Sequence, residues 1–158
     1  MLPGVLWTGA GHAVDIGPTL EIALAPTLAA PSQARAEVAA WLGQQPDGGA
    51  LLDDARLLVS EIVTNSVRHA LISAEQSLWL VASLRAATLR LELHDDGTVG
   101  TVARRTPGRE DGAGGFGLDL VARLSSAWGV QRDCDGTTLW LELAAGAGVT
   151  HDVAGPPL

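Results

Sequence analysis

The longest regular pattern of apolar and polar residues runs from Leu51 to Ala70, LLDDARLLVSEIVTNSVRHA. Apolar side chains recur there at the spacing of a helix that buries one side. They are Leu51, Leu52, Ala55, Leu58, Val59, Ile62, Val63 and Ala70. The pattern predicts a long amphipathic helix around which the rest of the chain packs.

Shorter runs with alternating apolar residues predict strands before and after this helix. They are residues 20–25, 78–84, 88–93, 128–132 and 137–143. A first helix over residues 34–45, opened by Pro31 and an N-cap at Ser32, precedes the central helix. Another helix, over residues 115–127, precedes the last pair of strands. Only residues 85–87 separate the second and third strands, which predicts an antiparallel hairpin.

The predicted element order is β-α-α-β-β-α-β-β. Hairpin-connected strands with helices gathered on one face favour an α+β fold, a two-layer α/β sandwich whose sheet is mostly antiparallel and carries three helices on one face. Residues 18–144 are expected to form one domain. Residues 1–17 are interpreted as a lead-in or an edge strand, and residues 145–158, rich in Gly and Pro, as a flexible tail.

The composition excludes several classes of function. A formal net charge of −8 provides no basic face for nucleic acid. The chain contains no lysine, so a phosphate-binding loop of the G-K-[ST] type is impossible. A single cysteine, Cys134, rules out internal disulfides and multi-cysteine metal sites. We expect a cytoplasmic protein without a membrane segment, because the start lacks a basic secretory region and no apolar run reaches membrane-spanning length.

Three polar motifs stand at the ends or edges of the predicted elements. Glu61 and Asn65 are four positions apart on the central helix and therefore share a face. Alone, this pair could hold a metal-bound phosphate, but it is more typical of a solvated helix edge. The third strand ends in HDDGTVG at residues 94–100, which is also typical of an ordinary turn. Residues 101–114, TVARRTPGREDGAG, are typical of a mobile loop and lead into a helix that opens with GFG.

The three motifs in this order resemble the GHKL (Bergerat) ATP-binding fold, and most of all its branch of bacterial anti-sigma-factor serine/threonine kinases. LLVSEIVTNSVRHA is similar to the helix signature of that branch, with Glu61, Asn65 and His69 at its characteristic positions. WGVQRDCDGTTLWLEL resembles the last hairpin of the branch. The resemblance extends over residues 20–143.

The resemblance implies ATP and Mg²⁺ as cofactors. Asn65 would hold Mg²⁺ through its side-chain oxygen, and Glu61 would be the general base toward a serine hydroxyl or a water. Asp95 would accept a hydrogen bond from the adenine amino group. The remaining residues that it assigns to the nucleotide are Gly97 under the base, Arg104 and Arg105 in the lid, Gly115, Gly117 and Leu118 at the helix start, and Thr138 beside the adenine.

Two positions depart from the family's pattern. Val99 replaces the last glycine of the usual D-x-G-x-G box, and Thr137 stands where the branch often has a basic residue. A different interpretation starts from residues 112–117, which fit the dinucleotide fingerprint G-x-G-x-x-G. That fingerprint should directly follow a strand, and the polar loop precedes it here, so a nicotinamide site is disfavoured.

The resemblance implies a regulator that transfers the γ-phosphate of ATP to a serine or threonine of a partner protein and sequesters a sigma factor. Its implied partners are that sigma factor and an anti-anti-sigma-type regulator, and a homodimer is compatible with the branch. The alternative is a non-catalytic module on the same fold that binds ATP or another protein. The presence of both Glu61 and Asn65 favours catalysis.

Overall fold

The computed structural model describes residues 5–7, 13–15, 17–69, 77–95, 116–133 and 136–145. Its strands and helices alternate much as the apolar pattern predicts. In chain order they are β1 (Val5–Trp7), β2 (Ala13–Asp15), β3 (Thr19–Leu24), α1 (Ala30–Leu42), α2 (Leu52–His69), β4 (Leu78–Arg85), β5 (Thr88–Asp95), α3 (Phe116–Leu124), β6 (Ala127–Asp133) and β7 (Gly136–Ala144), with a single 3₁₀ turn at Gly49–Leu51 before α2.

One antiparallel sheet holds the strands in the order β3-β4-β5-β7-β6. The last hairpin therefore inserts its second strand, β7, beside β5, and leaves β6 at the edge. β1 and β2 pair with each other in a separate antiparallel two-stranded sheet. The register of the large sheet matters for function, because it decides which side chains at the strand ends share a face.

The helices cover one face of this sheet, which we call the helix-side face. On it, alternate residues of β4, β5 and β7 are almost all buried leucines: Leu78, Leu80, Leu84, Leu89, Leu91, Leu93, Leu139, Leu141 and Leu143. α2 packs on β5 and β7, and also contacts α1 and α3. Its own buried stripe includes Leu58, Val59 and Ile62, as the sequence predicts. The α+β sandwich with a mostly antiparallel sheet is confirmed.

Helix α1 differs from its prediction at both ends. It begins at Ala30, with Ala29 as the N-cap and no side-chain cap, so the predicted N-cap at Ser32 is wrong. Pro31 lies in the first turn, where its missing N–H would have had no helical partner in any case. The helix ends at Leu42 instead of residue 45, and the backbone N–H of Gly43 caps it.

The β4–β5 hairpin is confirmed, with a tighter turn than predicted. Arg85 pairs with Thr88, so only Ala86 and Ala87 form the loop. Both have positive φ angles, 46° and 58°, as the centre of a type I′ turn requires. Alanine adopts this region at a steric cost, and the sequence has no glycine or asparagine here that would have predicted a two-residue turn.

Helix α3 is shorter than predicted because β6 begins earlier. The helix stops at Leu124, and the backbone N–H of Ser126 donates to the carbonyl oxygen of Glu142 on β7. Ala127, predicted as the last helical residue, is the first residue of β6. None of the helices in the described ranges is long and apolar enough to cross a membrane.

Candidate functional site

The C-terminal half of α2 presents a carboxylate and an amide at the edge of a buried stripe. Glu61 and Asn65 are half-buried, one helical turn apart, and their neighbours Ile62 and Val63 are buried. Within the part of the chain that the structure describes, neither side chain makes a hydrogen bond or ion pair. Their oxygen atoms are therefore available to a ligand on the side of α2 that adjoins the core.

A second polar pair lies where β5 ends. Asp95, the last residue of β5, is directly opposite Thr137 on β7. Both continue the helix-side face, because they follow Leu93 and precede Leu139 by one pleat. Asp95 is half-buried, and Thr137, with 4% of its surface exposed, is the one buried polar residue among those described. A carboxylate and a hydroxyl thus adjoin each other at the end of the leucine rows.

Thr138 lies on the other face of the sheet, which we call the outer face. Its hydroxyl is 2.9 Å from Nδ1 of His94, its cross-strand partner on β5. The threonine that shares a face with Asp95 is therefore Thr137, and Thr138 does not join the Asp95 side. The signal was present in the sequence, because Thr137 is in phase with the apolar Leu139 and Leu141, whereas Thr138 is not.

The first turn of α3 supplies the third part of the predicted site. Gly117 and Leu118 are the second and third residues of this helix, and α3 contacts α2. Backbone N–H groups in a first turn have no partner within the helix, and the helix dipole favours an anion in front of them. The remaining predicted residues, Gly97, Arg104, Arg105 and Gly115, lie outside the described residues, as do Val99 and the glycine fingerprint up to Gly115.

The residues fit a magnesium ion that is bound mainly by phosphates. No group of at least three His, Cys, Asp or Glu side chains within the described ranges could hold a metal by itself. Mg²⁺ in phosphate-transfer sites usually takes only one or two protein oxygens and completes its shell with waters and substrate phosphates. The half-buried amide of Asn65 offers one such oxygen.

Farther from the strand ends, the outer face carries a cluster of charged side chains around Arg90. Arg90 donates to Glu92 at 2.6 Å and to Glu142 at 2.9 Å, and its guanidinium carbon lies 4.5 Å from the centre of the Trp140 ring. Burial opposes the charge of Arg90, but the hydrogen bonds to Glu92 and Glu142 outweigh it, so its pKa is raised. Arg90 is therefore charged at any physiological pH and ties β5 to β7.

A shallow cavity of about 620 Å³ lies elsewhere, between α1 and the first half of α2. Ser32, Arg35, Ala36, Ala39, Ala40 and Arg56 line it. None of the predicted site residues is among them. Arg35 donates to the hydroxyl of Ser60 at 2.9 Å, which links the two helices across this groove.

An antiparallel sheet under three helices, with polar pairs on the central helix and at the end of the neighbouring strand, is the architecture of a GHKL-type ATP-binding domain. The comparison with protein families agrees. The chain belongs to the histidine kinase-like ATPase domain family, whose model matches residues 24–143. Membership of this family implies that the chain binds ATP.

One solved structure shows the same fold. The RsbU and RsbW domains of Rv1364c from Mycobacterium tuberculosis align with a TM-score of 0.60 and 23% identity, over 80% of this chain and 32% of that one. The chain thus spans about a third of that structure. The histidine kinase domain of a blue-light activated histidine kinase from Erythrobacter litoralis aligns with a TM-score of 0.45 and 23% identity, over 74% of this chain and 60% of that one. The search of curated proteins gave no match.

Proposed function

We propose that this protein is an ATP-dependent regulator that phosphorylates a serine or threonine of a partner protein. One observation carries the catalytic part of the proposal. Glu61 and Asn65 lie one turn apart at the edge of the buried stripe of α2, in a chain of an ATPase-domain family. A module that only bound ATP would have no need of a carboxylate beside the metal-binding amide.

The proposed reaction is the transfer of the γ-phosphoryl group from ATP to a hydroxyl oxygen. A new P–O bond forms to the serine oxygen, the bond between the γ-phosphorus and the bridging oxygen breaks, and ADP leaves. Mg²⁺ supplies neutralisation of the phosphate charges when it is bound. Glu61, half-buried at the edge of the core, accepts the proton of the attacking hydroxyl.

The other residues bind and orient the nucleotide. Asn65 would hold the metal through its amide oxygen. Asp95 would accept from the adenine amino group, with Thr137 as the adjacent hydroxyl on the helix-side face. The backbone N–H groups around Gly117 would face the phosphates. Gly97, Gly115, Leu118, Arg104 and Arg105 keep their predicted places at the base and the phosphates as part of this proposal.

We assign two protein partners on the basis of the resemblance to the anti-sigma-factor kinase branch. A small anti-anti-sigma-type regulator is the phosphate acceptor, and a sigma factor is the protein that is sequestered. The alignment with a structure that contains an RsbW domain, at 23% identity, supports the fold on which this assignment rests. Affinity purification of the chain from its native cells should recover a sigma factor. Recovery of none, under conditions that retain the acceptor, would remove sequestration from the proposal.

The catalytic proposal is tested with labelled ATP and the purified acceptor. Wild type should transfer label to the acceptor, and Glu61→Gln should lose transfer by a factor of about one hundred or more while it still binds ATP. Glu21→Gln is the matched control, because Glu21 is an exposed residue of β3. Equal transfer by wild type and Glu61→Gln would remove Glu61 from the mechanism. ATP binding by wild type without any transfer would favour the non-catalytic module.

A further inference from the structure

Two side chains on the outer face lie directly behind the proposed base-binding pair. His94 and Thr138 are cross-strand partners, and Nδ1 of His94 is 2.9 Å from the hydroxyl of Thr138. The next pair along the same two strands is Asp95 and Thr137. Side chains alternate along a strand, so the hydrogen-bonded pair faces outward while its neighbours face the helices.

The Asp95–Thr137 pair stands at the end of the β5–β7 ladder. Thr137 is the second residue of β7, and Asp95 is the last residue of β5. The last residue pair of a ladder separates more easily than a pair in the middle, because it has further hydrogen-bonded pairs on one side only. A hydroxyl and a carboxylate that must match the donors and acceptors along one edge of a base need a strand spacing that does not fluctuate.

On the outer face, two side-chain hydrogen bonds described here link β5 to β7. Farther from the site, Arg90 on β5 donates to Glu142 on β7 at 2.9 Å. Next to the site, Nδ1 of His94 on β5 lies 2.9 Å from the hydroxyl of Thr138 on β7. Trp79 of β4, 43% exposed, is the partner of His94 on its other side. His94 therefore has Trp79 as its cross-strand neighbour on one side and Thr138 on the other.

We propose that the His94–Thr138 hydrogen bond positions Asp95 and Thr137 for recognition of the adenine base. His94 and Thr138 are positioning residues, since they lie on the face away from the nucleotide and act through the backbone of the next pair. This inference rests on the proposed function. It assigns Thr138 an indirect part in base recognition, behind the site instead of in it.

Calorimetric titration of the full chain with Mg-ATP and with Mg-GTP tests this inference. Thr138→Val keeps the shape of the side chain and removes the hydroxyl. Loss of this half-buried hydrogen bond should weaken ATP binding about fivefold and reduce the preference for ATP over GTP by a similar factor. Thr138→Ser keeps the hydroxyl and should restore both values. A purely structural contact would lower thermal stability without any change in base preference.

The matched control is Thr88→Val. It is the same substitution on the outer face of the sheet, but on β5 and at the other end of the β5–β7 ladder, where Thr88 pairs with Ala144. It should leave affinity and preference unchanged. His94→Phe, which keeps a ring but lacks Nδ1, should reproduce the loss seen in Thr138→Val, and the double variant should lose no more than either single one. This second variant decides the question if Thr138→Val unfolds.

The outcomes separate this inference from the proposed function. Wild type that binds ATP, together with Thr138→Val and His94→Phe that bind and discriminate as wild type does, overturns the positioning role and leaves ATP binding intact. Wild type that binds neither nucleotide overturns the proposed function, and the positioning role with it. A selective loss in both variants, with Thr88→Val unchanged, supports the inference.

Discussion

Asp95 and Thr137 are direct cross-strand partners on the helix-side face of the sheet, at the end of the β5–β7 ladder. Leu93 and Leu139 form the next pair on that face, and both are buried. The leucine rows therefore end in a carboxylate and a buried hydroxyl. An apolar wall that closes in a few polar groups is the usual design of a small-ligand site, where the polar groups select the ligand and the wall excludes water.

Asp95 should decide between adenine and guanine. A carboxylate can only accept hydrogen bonds and suits the amino group of adenine, whereas an amide can also donate to the carbonyl oxygen of guanine. We expect Asp95→Asn to lower the preference for ATP over GTP by about tenfold or more. Competition binding of the two nucleotides measures this. Asp47→Asn, at an exposed turn residue, is the control, and an unchanged preference in Asp95→Asn would contradict the adenine role.

Asn65 should contribute to ATP binding only through the metal. Removal of its amide oxygen by Asn65→Ala should weaken binding in the presence of Mg²⁺ by about tenfold or more, because a direct ligand is lost. With Mg²⁺ chelated, variant and wild type should bind ATP equally. Asn65→Asp retains an oxygen ligand and should recover much of the Mg²⁺-dependent increase in ATP affinity. Equal affinities of wild type and Asn65→Ala in excess Mg²⁺ would exclude Asn65 as a ligand.

Long periodic elements were predictable from the sequence, and their boundaries less so. The α2 stripe and the β4–β5 hairpin follow from apolar spacing, since burial of these side chains dominates their local energetics. The start of α1 does not, because Ser32 is a good N-cap by propensity while the chain already turns helical at Ala30. The order of strands was also out of reach, since pairing of β7 with β5 is a tertiary contact between residues about 50 positions apart.

The sequence predicted the relative positions of candidate site residues where both residues lie on the same helix or strand. Glu61 and Asn65 share a face because both lie on one helix, and helical spacing fixes that relation. The choice between Thr137 and Thr138 depends on which residues of β7 share a face with Asp95 on β5, whereas the family resemblance assigned Thr138. Strand parity relative to Leu139 would have favoured Thr137. His94 carried no motif signal, because its contact exists only in the paired sheet.

The turn between α1 and α2 should be sensitive to one glycine and not to the next. A Cβ atom on Gly48 would overlap the carbonyl oxygen of Leu42, whereas one on Gly49 would meet nothing within 4 Å. We expect Gly48→Ala to destabilise the fold by about 2–3 kcal/mol, since backbone must move to make room. Gly49→Ala should stay within about 0.5 kcal/mol of wild type. Urea unfolding of the two variants measures this, and equal stabilities would contradict the crowding at Gly48.

Gly129 should be required by the indole packed against it on the outer face. Gly129 is the β6 partner of Trp140, and a Cβ there would approach three atoms of the ring at 2.9 Å. We expect Gly129→Ala to cost about 1–3 kcal/mol in unfolding free energy, because the ring must leave a position where the Arg90 guanidinium also stacks on it.

A double-mutant cycle with Trp140→Leu distinguishes crowding against the indole ring from the intrinsic effect of alanine in a strand. The smaller side chain leaves room for the added methyl group, so Gly129→Ala should cost less in the Trp140→Leu background than in wild type. Thermal unfolding of the four proteins in this cycle gives the coupling. Strictly additive effects would contradict the contact between Gly129 and the Trp140 ring. A coupling of about 1 kcal/mol or more would establish that the absence of a side chain at Gly129 makes room for the Trp140 ring.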